Sequence, residues 1–239
     1  MKRIAMVSLV AVGLTSNCYG FDPLALEKLK ALGECSECDF AGAGLKGMNF
    51  SKMDIDRSNF TGADLEQAIL SKCDLDEAIF EGTNLSGADC KDAYIHHAKF
   101  GSANMVKANM SKATMSKGDF TKADLTDGNF TGARLERTRF TAATLTNTDF
   151  SFANLSYADF GGTSLKGAKF KGAVLVGANL AGAILSEADF SSADLTSAVY
   201  RRAEVYDGTR LATMDVAVTC KELQEGGAKI DAHTKCAQR

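Results

Sequence analysis

Seven cysteines, an adjacent histidine pair and four lysines spaced five apart are the residues of this 239-residue chain whose types and spacing could do chemistry. Cys35-Ser36-Glu37-Cys38 has the spacing of a redox or metal-binding C-x-x-C. Zinc would need a second such pair or a nearby His, and a thioredoxin-type thiol would need βαβ surroundings. Neither accompanies it, so the pair is read as a structural disulfide pinning an N-terminal cap, with unpaired or otherwise paired thiols as the alternative. Cys220 and Cys236 are read as closing a small loop around Gly226-Gly227. His96-His97 lacks the carboxylate spacing of a ligand set and is read as surface. Lys107, Lys112, Lys117 and Lys122 could dock an acidic partner or form a solvated ring that blocks aggregation. The same two readings apply to Arg134, Arg137 and Arg139.

No constellation for catalysis emerges. The chain has no G-x-S-x-G, no H-E-x-x-H and no Gly-rich phosphate loop following a strand. The expectation is a protein that is not an enzyme and takes no cofactor or metal. Net charge is −3, which gives no strong electrostatic reason to expect nucleic acid.

Lys2 and Arg3, the apolar run Ile4 to Leu14, and the small residues Cys18 and Gly20 read as a signal peptide over residues 1–20. Thr15-Ser16-Asn17 lacks the apolar residue that acylation of Cys18 would require. The expected location is the bacterial periplasm or the exterior, with no later membrane span. Export leaves six cysteines in a compartment that permits disulfides.

The elements that must position these residues are set by a period of five. From Phe40 to Val205, all 34 residues numbered as multiples of five are Phe, Leu, Ile, Met, Val, Tyr or Cys. Two positions earlier, 23 of 34 residues are Ala and most others are small. Between them lies a slot rich in Asp and Asn, as in Asp39, Asn49, Asp54, Asn59 and Asp64. Five fits neither the 3.6 period of a helix nor the 2.0 period of a strand. It fits a chain that turns a corner every five residues, with one large and one small residue inward. Phe also recurs every twenty, from Phe40 through Phe60, Phe80, Phe100, Phe120 and Phe140 to Phe160, alternating with Leu columns. That pattern predicts four sides, with Phe on two opposite ones. Cys73 and Cys90 fall on interior slots and are read as small core residues. Phe152 and Tyr157 fall on a slot that normally carries Gly, Lys or Ser. They are expected to point outward on adjacent sides, either as a contact site or as cover for a neighbouring coil.

Ala63-Asp64-Leu65, Ala123-Asp124-Leu125, Ala153-Asn154-Leu155, Ala178-Asn179-Leu180 and Ala188-Asp189-Phe190 resemble the pentapeptide-repeat family. The resemblance implies an all-β fold, a right-handed quadrilateral parallel β-helix of about 8.5 coils and about 40 Å. It also implies a choice of roles. The first is a structural or protein-interaction module with an unknown protein partner. The second is a DNA mimic that binds topoisomerases, as some members are thought to do. That role needs a strongly acidic rod, whereas residues 38–207 carry 22 acidic and 18 basic residues.

A solenoid needs capped ends. Residues 21–37 are expected to form an N-terminal cap helix over the first coil. Asp22 would be its N-cap, Pro23 its first residue, Leu24, Leu26, Leu29 and Leu32 its apolar pattern, and Gly33 its stop. The repeat then spans 38–207. Arg210 breaks the register, and 208–239 form a C-terminal cap.

Overall fold

Each pentapeptide makes one side of a coil, and its left-handed residue turns the chain into the next. The computed structural model describes residues 23–198, 220–225 and 227–236. The signal segment, Asp22 and Arg210 lie outside the described residues.

Parallel bridges join each outward slot to the one twenty residues on, without interruption from Glu34–Asp54 to Val174–Asp194. The bridges are isolated, because a side offers too few residues between corners to build an extended strand. The all-β expectation therefore appears as a ladder of single bridges. The named elements are two helices, α1 (Pro23–Leu32) and α2 (Cys220–Glu225).

Three amides per side run the ladder. The central N–H of Phe100 donates to Asp119 O at 2.7 Å, and Asp119 N–H donates back to Ala98 O at 3.0 Å. At the corner, Ser102 N–H donates to Thr121 O at 3.0 Å. Every residue two past a central position, from Glu37 to Ser197, has φ near +60°. Ala103 N–H closes the turn onto Phe100 O at 3.0 Å, so the left-handed residue sits third in a β-turn. Gly is at ease there, and the many other residues found there each accept about 1 kcal/mol or more of strain. The Asp/Asn slot has its own reason. Its Oδ1 accepts the N–H of the first turn residue, as Asn59 does from Thr61 at 3.0 Å and Asp149 from Ser151 at 2.9 Å.

The interior is filled by the central residues. The sides carrying Phe40, Leu45, Phe50 and Ile55 are here the first, second, third and fourth faces. Rings of the first face stack from Phe40 to Phe160 at centroid distances of 4.5–5.2 Å. They meet the opposite, third face edge-on, as Phe140 meets Phe150 at 5.7 Å. Where the small slot is polar, its hydroxyl usually reaches a carbonyl of the coil below, as Thr83 does to Phe60 O at 2.6 Å and Thr148 to Leu125 O at 2.9 Å, while Thr163 donates to Phe160 O in its own turn. That bond satisfies a buried hydroxyl and explains why Thr can replace Ala.

Both ends depart from the sequence expectation. The ladder begins at Glu34, inside the segment assigned to the cap, because Cys35 already takes a buried central slot. Helix α1 ends at Gly33, whose φ is +75° and whose N–H donates to Leu29 O. It buries Ala25 and Leu29, one turn apart on one face, while Leu24 and Leu32 fall on the exposed side. At the other end, residues 227–236 do more than cover the rod: they add two sides to it. Lys229 bridges Asp189 and Lys235 bridges Asp194. Phe190 N–H donates to Lys229 O and Leu195 N–H to Lys235 O, both at 2.8 Å. Ala228 and Thr234 stand in the small slot, and Thr234 Oγ1 donates to Phe190 O at 3.0 Å as other slot threonines do.

Candidate interaction surface

The left-handed corner residue projects from the edge of the rod, so the corners display what the faces do not use for the ladder. Lys107, Lys112, Lys117 and Lys122 have φ of 59–61° and occupy four successive corners of one coil. They therefore divide between faces. Lys112 and Lys117 flank the fourth face, and Lys107 and Lys122 flank the second.

Phe152 and Tyr157 occupy the two corners that bound the fourth face, two coils above Lys112 and Lys117. They are 64 % and 60 % exposed. Each also leans over the next coil. A β-carbon on Gly172 would stand 2.8 Å from Phe152 Cδ1, and one on Gly177 would stand 2.6 Å from Tyr157 Cε1. The contact and cover readings thus hold together: one edge of each ring covers a glycine and the rest meets solvent. Below Tyr157, the Arg137 guanidinium lies 5.7 Å from the ring centroid.

Sequence reading missed Tyr94, which is 56 % exposed in the outward slot of the fourth face, where Asp or Asn is the rule. That departure from the rule was its signal. With Phe152 and Tyr157, it places all the large exposed aromatic side chains among the described residues on or beside one face. Lower on this face lie Asp54, Asp56, Asp74 and Asp76, and burial pushes the Asp74 carboxyl above the usual range.

The cysteines separate into two kinds. Cys35 is joined to Cys38 beneath α1, and Cys220 to Cys236 across the tail. Cys73 and Cys90 are buried thiols. Burial pushes Cys73 up to about 11 and Cys90 well above the usual thiol range, so neither is a thiolate nucleophile at neutral pH. Cys73 Sγ donates to Phe50 O at 2.7 Å, as a slot threonine would. Among the described residues, no group of three His, Cys, Asp or Glu is placed to hold a metal. No helix among them is long and apolar enough to cross a membrane.

This geometry coincides with the family comparison. The pentapeptide repeat region matches at residues 34–110, 73–150, 93–170 and 113–195, and the chain belongs to the pentapeptide repeat family. Among solved structures, it is similar to HetL from the cyanobacterium Nostoc, a pentapeptide repeat protein involved in heterocyst differentiation regulation. That match has 24 % identity over 72 % of this chain and 88 % of the other, with a TM-score of 0.32. It is similar to a trypsin-treated variant of QnrB1, a plasmid-mediated fluoroquinolone resistance protein, at 19 % identity over 73 % and 92 %, TM-score 0.38. A pentapeptide repeat protein of the Arabidopsis thaliana thylakoid lumen matches at 26 % identity over 59 % and 74 %, TM-score 0.28. No curated protein sequence matches significantly.

Proposed function

We propose that this chain is an exported, non-enzymatic interaction module that holds a rigid rod of about 8.5 coils before a protein partner. The observation that carries this reading is the unbroken ladder from Glu34 to Asp194. Every side is spent on the same bridge and the same filled interior, so chemistry specific to this chain is confined to outward slots and corners. Members of the family are generally structural or interaction modules. The leader-like residues 1–20 and the two disulfides support export into an oxidising compartment.

Fractionation with N-terminal sequencing, followed by crosslinking in intact cells, tests this. The expected result is an envelope or extracellular protein beginning at Phe21 with protein adducts. Uncleaved cytoplasmic protein would overturn export and restore the topoisomerase-binding reading, which a supercoiling-inhibition assay then decides. The charge of −3 speaks against that second reading, since a DNA mimic needs dense negative charge.

A further inference from the structure

We infer that the fourth face, between the Lys112–Lys117 coil and the Gly172–Gly177 coil, docks an acidic segment of a partner protein that also carries apolar side chains. This rests on the interaction-module reading and names the face and the chemistry of its partner. Over these four coils, the face and its two corners carry Lys112, Lys117, Arg134 and Arg137 against the single carboxylate Glu136. Glu136 lies 3.6 Å from Arg134, while Lys112, Lys117 and Arg137 have no carboxylate within 4 Å among the described residues. Directly above stand the exposed rings of Phe152 and Tyr157, with Val174 exposed between their corners.

The same four coils of the opposite, second face offer a comparison. Lys107, Lys122 and Lys166 are there offset by Asp124 and Asp127, and no exposed aromatic accompanies them. Both rings therefore border the fourth face together with its cations, and neither borders the second. Tyr and Arg side by side are the residues that dominate protein contacts, and the ladder holds both corners in place before binding. A purely anionic glycan or lipid headgroup would use the cations and leave Phe152 and Val174 without a partner. The carboxylates Asp54, Asp56, Asp74 and Asp76, further down the face, would repel an acidic segment and so fix its register along the rod.

The test uses the full chain in the cells that make it, with photoreactive benzoylphenylalanine at Phe152 or Tyr157, and at Thr144 or Ile184 on the second face. The expected result is adducts from Phe152 and Tyr157 to one protein segment rich in Asp and Glu. Adduct yield should fall about ten-fold or more in a K112E/K117E/R137E variant and stay unchanged in K107E/K122E, with equal melting midpoints for both. Adducts to lipid, glycan or a second copy of this chain would overturn the inference, as would indifference to the charge reversal. Adducts from Thr144 and Ile184 alone would overturn the face assignment and leave the module reading standing. No adduct from any position would overturn both.

Discussion

Tyr157 and Gly177 are fitted to each other across two coils: the ring fills the space that any side chain at Gly177 would occupy. Gly177 also has φ of +68°, so an added β-carbon meets backbone strain as well as the ring. Gly177→Ala is expected to cost about 1 kcal/mol and to turn Tyr157 away from Arg137. Urea midpoints read the first effect. Tyrosine emission reads the second, in a chain with no Trp.

Leu135 is fully buried in a column of central residues between Met115 and Leu155. Leu135→Ala should lose about 2–5 kcal/mol, because stacked neighbours on four sides leave little room for collapse. Leu135→Asp should lose more, since its carboxylate would meet no partner in a filled interior. Circular dichroism during denaturant unfolding distinguishes the two, and a tolerated Asp would mean the interior is not dry.

The thiols give a count. With residues 1–20 removed, unreduced protein in denaturant should titrate two thiols, Cys73 and Cys90, and native protein near pH 8 almost none. Retained Cys18 would add one. Four or more thiols in denaturant would show that one of the joined pairs is open. Reduction should loosen the tail, because Cys220–Cys236 closes a loop worth about 3 kcal/mol.

Acid should loosen the same tail. Asp231 accepts Ser192 N–H at 2.8 Å and Ser192 Oγ–H at 2.9 Å, and these bonds, the backbone one foremost, hold its carboxyl far below the usual range. A depressed folded value means its contribution is complete above the unfolded carboxylate value, about 4, and is lost as pH falls below it. Hydrogen exchange at the Phe190 and Leu195 amides, taken relative to the intrinsic rate at each pH, should therefore quicken between about pH 4 and pH 2. Asp231→Asn should quicken it at neutral pH and flatten the dependence.

The interior is legible because burial leaves a central slot no polar option: Phe40 to Leu195 recur every five residues, and the twenty-residue column follows from Phe alone. The tail was not legible in the same way. Ala228-Lys229-Ile230 and Thr234-Lys235-Cys236 repeat the inward pattern only twice and six residues apart, so no period announces them. Four leucines dominate the apolar pattern of α1 in the sequence, whereas it is Ala25 and Leu29 that share its inner face. Of the contact surface, Phe152 and Tyr157 were visible as misfits in their slot. Their shared face with Tyr94, Arg134 and Arg137 became visible only when residues twenty and forty apart were stacked.

The ladder repeats every twenty residues, and the chain therefore has a unit of permissible length. An in-frame loss or duplication of twenty residues, such as 141–160, would shorten or lengthen the rod by about 4.8 Å and return every later side chain to its own face. A change of five would turn everything beyond it by a quarter revolution. Phe and Leu columns would then be mismatched, and the tail would be presented with the wrong sides on which to close.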